Sequence, residues 1–216
     1  MKVSVVIPTL NEEKNIPIVL SRVKKYADEI IVVDGYSKDK TVEIAKRFNA
    51  KILFDNKGKG SALRKGLNYA KGDVIITFDC DLSHRPSEIK KIIEAIKNYD
   101  VCMPSRFLGS SEDLSYFRRF LNILLTEFVN FVWKSNYTDI CYGLRGFKKG
   151  IVKKLGLESD GFEIETEISI KVAKKRLKVI EIPSIERKRK YGKGKFSLVV
   201  DGLRIINRVF KELLCK

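Results

Sequence analysis

Asp73-Val74-Ile75-Ile76-Thr77-Phe78-Asp79-Cys80-Asp81 is an apolar run that stops abruptly on two carboxylates. The run reads as a strand. In an extended segment, residues two apart share a face, so Asp79 and Asp81 are expected to point the same way. Together they can reach one hard cation or the sugar hydroxyls beside it. Oxygen ligands and carried-in phosphates are the usual setting for Mg²⁺ or Mn²⁺. The same pair also reads as a solvated turn after a strand, so the flanking sequence has to decide.

Working outward, Val3–Ile7 is a continuous apolar run apart from Ser4, as a buried parallel strand would be. Glu29–Val33, Lys51–Phe54 and Val101–Met103 are further strand-like runs. Helical patterns separate them. One is N-capped by Asn11 and runs to about Lys25, and one covers Asp39–Phe48 with Ser37 as cap; Ser61–Ala70 and, behind Pro86, Ser87–Asn98 follow. This alternation implies an α/β fold, a mostly parallel sheet with helices on both faces. Ligands in such sheets sit at the carboxyl ends of strands, where Pro8–Glu12, Asp34–Ser37 and Asp79–Asp81 fall.

After Arg106 the pattern changes. Leu114–Trp133 is aromatic-rich and reads as a helix, Cys141–Phe147 as a returning strand, Glu165–Lys175 as a helix and Val179–Ile185 as a strand. A basic loop with two glycines follows, Arg187-Lys188-Arg189-Lys190-Tyr191-Gly192-Lys193-Gly194-Lys195. The chain ends in a helix with Val199, Leu203, Ile206, Phe210 and Leu213 on one stripe.

Of 216 residues, 44% are hydrophobic, enough for a real core, and 43 Lys+Arg against 27 Asp+Glu give a formal charge of +16. That excess favours nucleotides, phosphorylated lipids, an anionic membrane surface or nucleic acid as partners. Cys80, Cys102, Cys141 and Cys215 show no CxxC pairing. They read as reduced thiols in a cytoplasmic protein, against a zinc or disulfide framework. Met1-Lys2 leads straight into VSVVIP with no signal-peptide pattern. No charge-free apolar run reaches the roughly 18–20 residues of a membrane span; Leu114–Trp133 is interrupted by Arg118, Arg119 and Glu127. Such a chain meets a membrane by lying on its cytoplasmic face.

Each candidate group has a functional and a plain reading. Glu12 can accept hydrogen bonds from a base or ribose, or simply suit a helix N-terminus. Asp34 can bind a ribose or base edge, or shape a turn. Lys57-Gly58-Lys59-Gly60 lacks the GxxxxGK[ST] spacing and follows the third strand, not the first. It supplies a lysine near a diphosphate or a solvated turn. His84, the single histidine, is a general base, a metal ligand or a packing residue under the acidic pair. Arg106 and Arg145 offer guanidinium forks to a phosphate or to structural ion pairs. Arg189 and Lys195 can close over a diphosphate, with Gly192 and Gly194 giving the loop freedom, or belong to an exposed charge run.

In order along the chain, VIPTLNEEKNI, EIIVVDGYSKDKT, KGKGSALRKGLNYAKGDVIITFDCDLSHRPSEI, Ser105-Arg106-Phe107, TDICYGLRGFKK and RKYGKGKFS resemble the inverting family-two glycosyltransferases. Within them the chain is most similar to dolichyl-phosphate mannosyltransferases and their polyprenyl-phosphate relatives. The resemblance implies a GT-A fold in one domain, 1–216, with a nucleotide-binding half (1–110) and an acceptor-side half (111–216). By position it implies that Pro8, Leu10 and Glu12 border the nucleotide. Val32 and Asp34 would hold its base and ribose side, and Asp79, Cys80 and Asp81 would line the diphosphate. Arg106, Arg189 and Lys195 would bind the donor's phosphates or sugar. Asp81 would be the main ligand of Mg²⁺ or Mn²⁺, with Asp79 assisting. Three positions depart from the family pattern: Gly35 where a second acidic residue is frequent, Gly194 in place of a serine, and Ser83 where some relatives carry a glutamine.

The implied reaction is direct displacement at the anomeric carbon, moving a hexose of the mannose or glucose class from a GDP- or UDP-sugar. Asp81, Arg106 and Glu165 are the expected catalytic residues. A polyprenyl or dolichyl phosphate acceptor is already an anion and needs positioning more than deprotonation. A hydroxyl acceptor would need a carboxylate base, Glu165 first and Asp139 second. Leu114–Trp133 fits an interfacial helix beside the acceptor, a buried helix or a dimer face. Competing readings are a related transferase with a soluble acceptor and a non-enzymatic nucleic-acid binder. Asp34, Asp79 and Asp81 oppose the latter, and no nucleic-acid partner is expected.

Overall fold

The computed structural model describes residues 1–214; Cys215, one of the four expected reduced thiols, lies outside them. Its elements run β1 (Val3–Thr9), α1 (Ile16–Val23), β2 (Glu29–Asp34), α2 (Thr41–Arg47), β3 (Lys51–Phe54), α3 (Lys59–Tyr69), β4 (Val74–Thr77) and α4 (Glu88–Ile96). They continue with β5 (Val101–Ser111), α5 (Tyr116–Trp133), β6 (Arg145–Lys148), α6 (Ile151–Leu155), α7 (Ile164–Lys174), β7 (Val179–Glu186) and α8 (Leu198–Leu214). Seven strands form one sheet in the order β3-β2-β1-β4-β6-β5-β7. β1 pairs in parallel with β2 and β4, β2 with β3, and β5 with β7. The short β6 enters antiparallel between β4 and β5.

The apolar runs explain this sheet. Successive residues of β1 face opposite sides, and both sides are buried. Val6 joins Ile31, Val33 and Ile75 in one cluster, under α3, α6 and α7. Val5 and Ile7 join Val32, Ile76 and Phe78 in the other, under α1 and α4.

Several local expectations are corrected. Asn11 does not cap α1; it sits at φ +56 and its side chain accepts from the Lys38 amide. The helix starts later, at Ile16, behind Asn15. Ser37 does not cap α2 but donates to Asp34. Pro86 precedes α4 in a turn, outside its first helical position. β5 runs to Ser111, beyond Met103, and carries an irregularity against β7 between Ser105 and Ser110. β6 begins at Arg145, so 141–144 is loop.

The stripe on α8 faces solvent: Val199 is 71% and Leu203 63% exposed. The buried face of α8 carries Ile205 and Val209 with Asp201, Arg208 and Glu212. Arg208 lies 3.3–3.4 Å from carboxylate oxygens of Glu158, Glu167 and Glu212. Lys174 reaches Glu212 at 2.9 Å and Lys171 reaches Glu167 at 2.7 Å. Burying such charges is tolerable only when they are paired. α8 therefore docks on α7 through ion pairs around a small apolar patch.

Candidate active site

A cleft of about 1230 Å³ opens at the carboxyl ends of the central strands. Pro8, Leu10 and Glu12 enter it from β1, and Asp79, Cys80 and Asp81 from β4. Arg106 comes from β5, Glu165 from α7, and Arg189 and Lys195 from the basic loop. Val32 is not there: its side chain is in the core with no exposed surface. Asp34 is also fully buried; it accepts from Thr9 Oγ1 at 2.9 Å and from Ser37, one layer behind the cleft wall that Gly35 forms.

The acidic motif is bent, not extended. β4 stops at Thr77, Cys80-Asp81 is a turn, and Leu82 sits at φ +69. The two carboxylates consequently take different partners. Asp79 Oδ1 lies 2.9 Å from Lys59 Nζ, and its Oδ2 accepts from His84 Nε2 at 3.2 Å. Burial would raise the Asp79 carboxyl, but Lys59 and His84 hold it well below the usual carboxylate range. Burial opposes the charged His84, yet the hydrogen bond from its ring to Asp79 raises it. Nδ1 of that ring is 2.9 Å from Tyr142 Oη, which is 3.1 Å from Ser184 Oγ, which donates to Glu88. His84 thus lies beneath Asp79, held between that carboxylate and Tyr142. Asp81 accepts from Ser83, at 3.0 Å from its amide and 2.6 Å from its hydroxyl, and faces Arg189 at 3.5 Å. Cys80 packs its side chain in the core, and burial pushes the thiol up, so it stays neutral.

The basic loop lies across this edge. Arg189 pairs with Glu12 and Lys195 donates to the Leu10 carbonyl. The Lys190 amide donates to the Asp81 carbonyl at 3.3 Å. Burial raises the Glu12 carboxyl against the opposing effects of Asn15 and Arg189. Positive charge is therefore stationed over the acidic motif.

Arg106 is only 6% exposed, and its fork is spent on Asp139, with Nε at 2.7 Å and Nη2 at 3.0 Å. Nη1 reaches Glu186 at 3.3 Å, and the guanidinium stacks over Tyr142 at 4.9 Å. Arg145 is not a phosphate ligand: it is 1% exposed, does not line the cleft, and donates to the carbonyls of Ile140 and Glu165.

Sequence reasoning left Lys59 undecided; the structure places it in the cleft between Asp79 and Glu165, 2.9 Å from each. It also missed the apolar extension of the cleft. Leu121, Leu125 and Phe128 of α5 and Leu203 and Ile206 of α8 line a groove continuous with the polar end. Arg118 marks the junction, over the Phe196 ring at 5.4 Å. The outer faces of both helices are apolar and exposed, Tyr116 at 94% and Phe131 at 85%.

Residues 4–156 match the family model described as glycosyl transferase family 2. The dolichol-phosphate mannosyltransferase of Pyrococcus furiosus is 34% identical over 98% of this chain and 64% of its own length. An undecaprenyl-phosphate 4-deoxy-4-formamido-L-arabinose transferase of Edwardsiella ictaluri is 30% identical over 99% of this chain and 67% of its own. The chain thus spans about two thirds of the length of these two relatives. Glucosyl-3-phosphoglycerate synthase from Mycobacterium tuberculosis, crystallised with Mn²⁺, UDP and phosphoglyceric acid, has a TM-score of 0.79 at 17% identity, over 100% of this chain and 79% of that one. At that identity the likeness is one of fold, the GT-A arrangement. The matched segment holds β1, β2 and β4 and the acidic motif at their carboxyl ends, and the chain belongs to glycosyltransferase family 2.

Proposed function

We propose that the chain moves a hexose of the mannose or glucose class from a GDP- or UDP-sugar to a polyprenyl or dolichyl phosphate at a membrane surface. The observation that carries this reading is the continuity of the cleft. Its polar end holds the acidic motif and the basic loop; its other end is an apolar groove between α5 and α8 that opens on exposed aromatics.

The leaving nucleoside diphosphate gains negative charge as its bond to the anomeric carbon breaks. Arg189 and Lys195 supply positive charge there, while Arg106, neutralised by Asp139 and Glu186, builds the cleft wall. Donor entry displaces Arg189 from Glu12 and Asp81 onto the diphosphate. Asp81, a quarter exposed, would be the main oxygen ligand of Mg²⁺ or Mn²⁺, and Asp79 would assist only by loosening its contacts to Lys59 and His84. Among the described residues no cluster of three His, Cys, Asp or Glu could hold a metal; an ion bound here would take its remaining ligands from phosphate and water, as is usual for Mg²⁺. Such an ion would supply Lewis-acid stabilisation of the leaving phosphate.

The acceptor end favours a nucleophile that is already ionised. Glu165 and Asp139, the carboxylates that could deprotonate a hydroxyl, are committed to Lys59 and Arg106. Arg118 meets the acceptor phosphate at the mouth of the groove, and the isoprenoid follows the groove outward. Among the described residues no helix is long and apolar enough to cross a membrane. The exposed aromatics of α5, with Arg118 and Arg119 at its start and Lys134 at its end, suit a headgroup boundary. The test is transfer from labelled GDP-mannose and UDP-glucose, with Mg²⁺ or Mn²⁺, to vesicles carrying polyprenyl phosphate. Label is expected in the lipid extract; label confined to the aqueous phase with every donor overturns the reading.

A further inference from the structure

Lys59 opens α3, and the glycines on either side put it there. Gly58 sits at φ +142, and a Cβ on it would lie 2.3 Å from the Asp160 carbonyl oxygen. A Cβ on Gly60 would lie 2.5 Å from the Ser159 carbonyl oxygen. The amides of Gly60 and Ser61 donate to Asp160 O at 2.8 and 3.2 Å. Two of the free amides that open a helix are thus taken by protein here, which argues against the phosphate-loop reading of Lys57-Gly58-Lys59-Gly60. What the glycines achieve is close approach: the first turn of α3 is pressed on the segment leading into α7.

At that joint the Lys59 ammonium, its side chain 18% exposed, lies 2.9 Å from Asp79 Oδ1, 2.9 Å from Glu165 Oε1 and 5.4 Å from the centre of the Phe162 ring. Asp79 belongs to the donor end of the cleft. Glu165 opens α7 on the acceptor side. Gly143 completes the cage, since a Cβ there would lie 2.5 Å from Asp79 Oδ2. Two carboxylates that repel each other are thereby joined through one compact cation.

We infer that Lys59 is a positioning residue for transfer: it fixes Asp79 and Glu165 in one geometry and so sets the spacing between donor and acceptor walls. The inference rests on the transfer reaction proposed above. Misplacing a reacting group by about 1 Å costs on the order of 100-fold in rate. Lys59→Met is therefore expected to lower kcat by about 100-fold, with KM for donor and acceptor changed by less than about threefold.

The test compares Lys59→Met, Glu165→Gln and the double variant of the full chain, by kinetics and by the ligand-free unfolding midpoint. Residues acting as one unit give non-additive losses, so the double variant should turn over no more slowly than the poorer single. Lys59→Met should lower the unfolding midpoint more than the double does, because it alone leaves two facing carboxylates without their cation. If Lys59→Met does not fold, the double decides: a kcat matching Glu165→Gln supports the inference and one far below it overturns it. A raised donor KM at unchanged kcat overturns it too, since Lys59 would then bind the donor directly. So does a double whose loss is the product of the singles. A wild type that transfers no sugar to any acceptor sinks the proposed function instead. The stability cycle needs no substrate and still decides, with additive shifts overturning the coupling.

Discussion

The Asp81 side chain is a quarter exposed (25%), and among the described residues its carboxylate is held by Ser83 and the long contact to Arg189. Removing it should therefore cost catalysis and not fold. Asp81→Ala is expected to lower kcat by at least about 100-fold, roughly the 3 kcal/mol of one lost electrostatic stabiliser, with an unfolding midpoint within about 2 °C of wild type. Wild type in excess chelator should lose activity to a similar extent. Full turnover in chelator would remove the metal from the mechanism. That these positions meet was legible because motifs carry them: Pro8, Glu12, Asp79, Asp81, Arg106 and Arg189 all line one cleft. Val32 was misplaced because Glu29–Asp34 is apolar throughout, and a run buried on both faces does not reveal which side a residue takes. Lys59 was left undecided because its partners, Asp79 and Glu165, lie in other elements and only the fold brings them together.

At the scale of elements, α5 and α8 show what periodicity can and cannot give. An apolar stripe on α8 was readable; its direction was not. The opposite face finds partners for Arg208 and Glu212 in Glu158, Glu167 and Lys174, and those pairings depend on how α7 packs. The antiparallel entry of β6 was hidden for a similar reason. Strand-helix alternation reports the parallel part of a sheet, whereas a four-residue strand after a long loop carries no directional signal. The outward apolar faces make a prediction. Fully burying a Phe is worth about 2 kcal/mol. Replacing Phe120 and Phe131, which are 60% and 85% exposed, by Glu should lower partition onto anionic vesicles by roughly two to three orders of magnitude. The midpoint of unfolding should stay within about 2 °C, because neither side chain is in the core. Unchanged flotation would show that the α5 face does not meet lipid.

For the whole molecule, a formal charge of +16 means that acidification adds to an existing positive excess, and the carboxylates that hold elements together decide how that is felt. Glu158 is depressed to about 2 by its hydrogen bond to Lys211 and by Arg208. For Glu167 burial acts upward, but Lys171 and the Ser159 amide bring it below its ordinary value. Asp79, Glu29 and Asp39 are likewise lowered against burial, by Lys59, Lys51 and Thr41 respectively. A carboxylate lowered in the folded state binds fewer protons there than in the unfolded chain. Its stabilisation is thus present above the unfolded value and lost as pH falls through the folded one. Glu12 and Glu181 are raised, chiefly by burial, so protonation relieves them and acts in the opposite direction. The lowered set includes the ion pairs joining α8, α7 and the 156–160 segment, so it should dominate. The raised His84 also gains stability on protonation, so the unfolding midpoint is expected to rise slightly from pH 7 to 5 as His84, Glu12 and Glu181 take up protons, and to fall progressively from about pH 4.5 towards 2 as the lowered carboxylates do. Glu167→Gln, at a fully buried position facing Lys171 and Arg208, should lower the midpoint at pH 7 and flatten the acid limb. A midpoint that holds or rises from pH 5 to 3 would mean that these pairs do not tie α8 to the body of the molecule.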